Sequence, residues 1–115
     1  MENKFTLKHV GINLANEEEA RKTAELLAMM FNVNVREGQK SIFADPYFEC
    51  MKSPYLGTNG HIAMVTEDLE SALEELQSKG IKLNMDTAQF DGEGKIKNVY
   101  LEGEFGGFAI HVMRE

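Results

Sequence analysis

The sequence predicts an α+β domain built from two tandem βαβββ modules. The first observation is a repeated pattern: the segments that begin at His9 and His61 both pass from a strand-like run into an amphipathic helix. The second is that short β-rich runs separated by turn residues follow each helix. The repeat offset of 52 residues also aligns Ala20 with Ala72. We therefore predict one domain of two modules, residues 5–52 and 60–114, joined by the turn-rich segment 53–59.

The first module is predicted to begin with a strand over residues 5–14. Asn16, three residues before Glu19, has the spacing of a capping box. Apolar side chains then recur at helical spacing, at Ala20, Ala24, Leu27, Met30 and Phe31. Asn32 can end this helix in a left-handed conformation. Strands are predicted at 33–36, 41–44 and 47–51, with turns at Gly38 and at Asp45-Pro46.

The second module repeats this order, starting with a strand at residues 61–65. One helical face is formed by Leu69, Ala72, Leu73 and Leu76. Gly80 stands where a glycine commonly ends a helix. The strands expected after it cover residues 81–83, about 87–90, 96–101 and 108–113, with a hairpin tip at 91–95.

Composition excludes several classes of function. Cys50 is the only cysteine, so the chain has neither an intrachain disulfide nor a cysteine-rich zinc site. The formal net charge of −7 argues against nucleic acid or anionic lipid as the main partner. No window approaches the roughly 20 apolar residues of a membrane span, and no signal-peptide pattern is visible at the N-terminus. We expect a cytoplasmic protein with a small-molecule substrate.

Three histidines and one glutamate occupy equivalent places in the two modules. His9 and His61 lie in the first strands. With about ten extra residues in the second hairpin, the last strands also align, and Glu49 then corresponds to His111. A buried ionisable group without a partner is unfavourable by several kcal/mol, and convergence on a metal would satisfy all four. A single histidine in a strand is more often a hydrogen-bonded core or surface residue, so the coincidence of positions carries the prediction.

The predicted metal ligands are therefore His9, Glu49, His61 and His111. Imidazole nitrogens with one carboxylate suit nickel, zinc, manganese or iron, and the absence of thiolates gives zinc no strong preference.

The segment GHIAMVTEDLESALEELQSKGIKL, residues 60–83, resembles the second-module opening of glyoxalase I and its relatives in the vicinal oxygen chelate superfamily. That group includes bleomycin-resistance proteins and extradiol dioxygenases. The resemblance extends over nearly the whole chain as two βαβββ modules. It implies cupped mixed sheets with a divalent metal on the floor of the cup, and a substrate that chelates this metal through adjacent oxygens. Its ligand positions match His9, Glu49, His61 and His111.

One position departs from the family pattern. The superfamily usually carries a carboxylate in its last strand, whereas this chain has His111 within GEFGGFAIHVM. Glu49 would then be the only acidic ligand, or the catalytic base, and a carboxylate bound to a cation is a poor base. The resemblance therefore implies a glyoxalase-type lyase or isomerase acting on a small 2-oxo or 2-hydroxy compound, rather than glyoxalase I itself.

Two other functions remain open. One is a non-catalytic binding or sequestering protein of the bleomycin-resistance type. The other is an accessory domain of a sugar-acid aldolase, because the chain also resembles a short variant found with 2-dehydro-3-deoxyphosphogluconate aldolases. The family resemblance further implies a homodimer, in which the ligands could come from one chain or from two.

Overall fold

The computed structural model of this protein describes residues 2–115, which form eight strands and two helices in the predicted order. The strands are β1 (Thr6–Asn13), β2 (Asn34–Glu37), β3 (Ser41–Asp45), β4 (Phe48–Met51), β5 (Gly60–Thr66), β6 (Leu83–Phe90), β7 (Ile96–Leu101) and β8 (Phe108–Arg114). The helices are α1 (Glu17–Phe31) and α2 (Leu69–Ser78). The predicted α+β class is confirmed.

All eight strands belong to one mixed sheet with the order β2-β3-β4-β1-β5-β8-β7-β6. The first strand of each module lies at the centre of this sheet, where β1 and β5 pair antiparallel. The last strand of each module pairs parallel with the first strand of the same module, β4 with β1 and β8 with β5. The two modules are therefore arranged with approximate two-fold symmetry within the sheet.

The strand register supports the alignment made from the sequence. Across the central pair, His9 lies opposite Ala63 and Gly11 lies opposite His61, as expected when each residue is related to the one 52 positions later. On the outer sides, Gly11 lies beside Glu49 and Ala63 lies beside His111. Glu49 and His111 are thus equivalent in the fold, despite the longer hairpin of the second module.

Helix α1 covers the half of the sheet formed by module one. The side chain of Asn16 accepts a hydrogen bond from the Glu19 backbone N–H at 2.9 Å, and Asn32 ends the helix with φ of 56°. Its small residues Ala20 and Ala24 are fully buried, packed with other buried side chains of β3 and β4. Those partners include Cys50, whose side chain lies on the face of the sheet that α1 covers.

Helix α2 covers the other half of the sheet. Leu69 and Leu73 pack in a cluster with Val99, Val112 and other buried side chains of β7 and β8. The two helices bury one face of the sheet by ordinary apolar packing, which contributes roughly 25 cal/mol for each Å² removed from water. This leaves the opposite face of the central strands available for polar side chains.

The strand predicted at residues 81–83 is wrong for residues 81 and 82, whereas Leu83 is the first residue of β6. Ile81 instead lies just after α2 and closes its end. The Ile81 N–H donates to the Leu76 carbonyl at 3.0 Å, and the Gly80 N–H donates to the Gln77 carbonyl at 3.0 Å. This is a Schellman arrangement around Gly80, whose φ is 88°. The apolar side chain of Ile81 packs against the hydrophobic cluster that contains Leu69 and Leu73 of α2. A single strand, β6, then runs from Leu83 to Phe90.

Candidate metal centre

Two adjacent cross-strand rows place the polar residues on the face of the sheet away from the helices. In one row, Ala63 lies between His9 and His111. In the next row, Gly11 lies between Glu49 and His61, and Ala109 follows. Large polar side chains therefore alternate with glycine or alanine. The small residues leave room above the sheet, and the imidazoles lean into that space.

The second row shows most clearly how the site is built. Gly11 is flanked by Glu49 on β4 and by His61 on β5, and the ring of His61 lies over the Gly11 backbone. A glycine inside a strand often marks a place where another group approaches the backbone closely. Here the approaching group is an imidazole that is only 3% exposed.

Glu49 joins the histidines of the two modules. Its Oε1 lies 2.9 Å from Nε2 of His61 and 3.1 Å from Nε2 of His9. The two histidine Nε2 atoms are 3.4 Å apart. Its Oε2 accepts a hydrogen bond from the Ser41 hydroxyl at 2.7 Å. Both oxygens of Glu49 are thus occupied, and His9 and His61 meet within a single chain.

The surroundings of Glu49 favour its ionised form. Burial alone would raise the pKa of this carboxyl, but hydrogen bonds with His61, His9 and Ser41 outweigh burial and hold the pKa well below its usual range. A carboxylate that stays ionised to low pH attracts a cation and can act as a ligand to it. The same property makes it a weak proton acceptor.

His111 is held from two sides. Its ring stacks on the ring of Tyr100, with centroids 4.6 Å apart and planes inclined by 13°. Its Nδ1 lies 2.8 Å from the side-chain oxygen of Asn98. Burial, followed by the neighbouring His61 and His9, lowers the pKa of His111 to about 4. The imidazole is therefore neutral at pH 7, the form in which histidine binds metals.

The three histidines have the geometry needed to bind a metal ion. Each offers a ring nitrogen, and these three atoms lie within 4.8 Å of one another. Among the residues that the structure describes, His61 Nδ1 and His111 Nε2 are buried side-chain nitrogens without a hydrogen-bond partner. A buried polar atom without a partner is unfavourable unless another group satisfies it. A divalent cation held by His9, His61 and His111, with Glu49 beside them, fits this donor set.

The donor set also limits the chemical character of the metal. Cys50 lies on the helix side of the sheet and is fully buried there, so no thiolate reaches the cluster. Imidazoles with a carboxylate accept zinc, nickel, iron or manganese. The residues thus define a nitrogen- and oxygen-ligated site, with the metal identity left open among these four.

A cavity of about 670 Å³ opens above the cluster, and Glu49, His61 and His111 form part of its wall. This volume is within the range typical of small-molecule sites. The remaining lining residues are mostly polar, and they are Gln39, Lys40, Met51, Lys52, Ser53, Pro54, Tyr55, Thr87, Gln89, Asn98 and Tyr100. Lys52 is paired with Glu37 at 3.0 Å, whereas Lys40 makes no ion pair within residues 2–115.

All four residues predicted from the sequence meet in this cluster. The residues that support them, namely Gly11, Ser41, Asn98 and Tyr100, were not predicted from the sequence. Gly11 carried a signal, because it interrupts a strand-like run two residues after His9. Asn98 and Tyr100 are two residues apart on β7, so their side chains lie on the same face of the sheet. Nothing in the sequence indicates that this strand borders the histidines.

Comparison with known proteins supports the fold. No protein-family model matches the sequence, and no curated protein matches it. Among solved structures, a hypothetical protein from Bacillus halodurans C-125 matches with a TM-score of 0.64 at 13% identity, over 97% of this chain and 95% of that one. Methylmalonyl-CoA epimerase from Mycobacterium tuberculosis matches with a TM-score of 0.61 at 15% identity, over 94% of this chain and 86% of that one. The chain has the glyoxalase-like fold.

A third solved structure with this fold is methylmalonyl-CoA epimerase from Streptomyces coelicolor, in complex with 2-nitronate-propionyl-CoA. It matches with a TM-score of 0.58 at 13% identity, over 95% of this chain and 96% of that one. These identities are low, so the likeness concerns the backbone arrangement. Within the described part of the glyoxalase-like chain, neither helix is long and apolar enough to cross a membrane.

Proposed function

We propose that this protein is a metal-dependent lyase or isomerase of the glyoxalase type that acts on a small 2-oxo or 2-hydroxy compound. The observation that supports this most strongly is the convergence of one ring nitrogen from each of His9, His61 and His111 within 4.8 Å of one another. Two of these histidines, His61 and His111, line a cavity of about 670 Å³. The fold is shared with two solved epimerases, which belong to the isomerases. A bound divalent cation would act as a Lewis acid on a substrate oxygen.

The clustered residues and the cavity wall have different roles in the proposed site. His9, His61 and His111 would hold the cation through ring nitrogens. Glu49 contributes negative charge next to them and is held in place by Ser41. The cavity wall provides hydrogen-bond donors and acceptors for the substrate, and Lys40 suits a carboxylate. We therefore favour a 2-oxo or 2-hydroxy acid over a neutral carbonyl compound.

The test is proton exchange next to the substrate carbonyl. The purified protein is loaded with nickel, zinc, manganese or iron(II), and each form is incubated in D₂O with a panel of short 2-oxo and 2-hydroxy acids. Proton NMR then follows loss of the signal at the exchanging carbon. We expect metal-dependent exchange that His61→Ala abolishes. If no metal form accelerates exchange or converts any member of the panel, the enzymatic proposal fails.

Glu49→Gln separates two roles for the carboxylate. If Glu49 acts mainly as a ligand, the variant loses metal affinity and activity together. If it acts as the base, the variant retains metal but loses turnover. Lys40→Met provides a matched test of the acid substrate, because removal of the charge should raise KM and leave kcat nearly unchanged.

A second candidate is a binding protein of the bleomycin-resistance type that uses the same cavity without chemistry. It is favoured by one specific observation. Glu49 is the only carboxylate among the cavity-lining residues, and both of its oxygens already accept hydrogen bonds. Under this proposal a ligand raises the melting temperature of the protein but is recovered unchanged. Attachment to a sugar-acid aldolase and assembly as a homodimer also remain proposals, which co-purification and light scattering test.

A further inference from the structure

The contact between Asn98 and His111 has a consequence for the proposed metal centre. The side-chain oxygen of Asn98 lies 2.8 Å from His111 Nδ1. The amide nitrogen of Asn98 donates to the Gln89 side-chain oxygen at 3.1 Å. In this arrangement the Asn98 amide nitrogen is turned towards Gln89 and the amide oxygen towards the imidazole. An amide oxygen can only accept, so the hydrogen belongs to Nδ1 of His111.

The position of that hydrogen determines what the other ring nitrogen can do. In a neutral imidazole with Nδ1 protonated, Nε2 carries a lone pair. His111 Nε2 is buried and has no hydrogen-bond partner among residues 2–115. Stacking on Tyr100 holds the plane of the ring, and the contact between Nδ1 and Asn98 sets which edge faces the cluster. The lone pair is thus held at a fixed place in the cluster.

We propose that Asn98 is a positioning residue: it selects the Nδ1–H tautomer of His111 and so presents Nε2 to a divalent cation. This inference deepens the proposed function and rests on it for the identity of the ligand. A hydrogen-bonded partner on the second nitrogen of a ligating histidine typically changes metal affinity by about 10- to 100-fold. Asn98 performs this role through His111 and does not itself touch the cation.

The experiment compares wild-type protein with Asn98→Leu and Asn98→Asp. Leucine has a similar size but offers no acceptor, whereas aspartate keeps an oxygen at the same place. Asn34→Leu, on the exposed strand β2, is the control for substitution of an asparagine in this sheet. The first readout is the tautomer of His111 in metal-free protein, from long-range ¹H–¹⁵N NMR of the imidazole rings. The second is zinc affinity from competition with a chromophoric chelator.

We expect the Nδ1–H tautomer in the wild type and its loss in Asn98→Leu. Zinc affinity should fall about 10- to 100-fold in Asn98→Leu and recover in Asn98→Asp, with Asn34→Leu unchanged. A wild-type Nε2–H tautomer, or a tautomer and an affinity unaltered by Asn98→Leu, would overturn the inference. If the wild type binds no metal but shows the Nδ1–H tautomer that Asn98→Leu removes, the proposed function fails while the positioning role of Asn98 on the ring remains. The two failures are therefore distinguishable.

Discussion

Gly11 provides the space that the imidazole of His61 occupies. A Cβ atom added to Gly11 would lie 2.0 Å from Cε1 of His61, 2.3 Å from its Nδ1 and 2.5 Å from its Nε2. These separations are far shorter than any van der Waals contact, so a side chain at position 11 and the present ring position of His61 exclude each other. The absence of one methyl group is thus a structural requirement of the candidate metal centre.

The first prediction concerns Gly11→Ala. The added methyl group must push His61 away from Glu49 or shift the β1 backbone, and overpacking of this kind typically lowers the free energy of unfolding by about 1–3 kcal/mol. We expect weaker metal binding together with lower stability, measured by chelator competition and urea denaturation.

Two further variants identify the cause. Gly92→Ala is the matched control, because nothing lies within 4 Å of a Cβ at that position. In the Gly11→Ala/His61→Ala double variant the clash is absent, so most of the stability lost in Gly11→Ala should return. If Gly11→Ala lowers the free energy of unfolding equally in the His61→Ala and wild-type backgrounds, the clash with His61 is not the reason.

The second prediction is a pH dependence of stability in the metal-free protein. The pKa of His111 is lowered to about 4 in the folded state, first by burial and then by the neighbouring histidines. Between pH 6.5 and 4 the unfolded chain therefore binds more protons at this residue than the folded chain does. The free energy of unfolding should fall as the pH is lowered through this window, by at most about 1.4 kcal/mol per pH unit.

His111→Gln tests this assignment, because glutamine does not titrate. Urea denaturation in the presence of EDTA at several pH values should give a shallower slope for the variant between pH 6.5 and 5, above the range in which most carboxylates titrate. Equal slopes for wild type and variant would show that His111 is not the residue that couples proton uptake to unfolding.

The third prediction concerns Cys50. Burial, and then the charge of Glu49, raise the pKa of this thiol to about 11, and its side chain packs beneath α1. Since the thiolate is the reactive form, alkylation by iodoacetamide should be about 100-fold slower in native protein than in urea. Cys50→Ala should retain metal binding and lose about 1 kcal/mol of stability. Rapid native alkylation would instead identify Cys50 as an accessible, reactive residue.

The sequence predicted the fold well because the duplication is visible in it. Helical periodicity and the caps at Asn16 and Asn32 are local signals, and the structure places α1 as expected. The strand predicted at 81–83 failed at residues 81 and 82 because Ile81 reads as β-forming by composition, while its actual role is to pack against the end of α2. Local composition does not reveal that tertiary contact.

The candidate site was predictable only in part, for a related physical reason. Comparing one module with the other identified His9, His61, Glu49 and His111. Equivalent positions of the two modules meet at the centre of the sheet, because the first strands of the modules pair there. Ser41 and Asn98 are equivalent to each other in the sheet register, since Ser41 lies opposite Met51 and Asn98 lies opposite Met113, each two residues after the equivalent Glu49 and His111. They are different residue types, so comparing the modules did not single them out. Their contacts arise from the pairing of β7 with β8 and of β3 with β4, and that register is set by the assembled sheet.

Metal binding by wild type and His61→Ala tests the central claim most directly. Protein purified without chelator is stripped, dialysed separately against nickel, zinc, manganese and iron(II), and analysed by inductively coupled plasma mass spectrometry. Lys97→Ala, an exposed substitution on β7, serves as the control, and circular dichroism verifies folding. We predict one metal ion per wild-type chain for at least one of these metals, and loss of that ion in folded His61→Ala. A wild type that binds none of them, or a variant that binds as well as the wild type, would contradict the account.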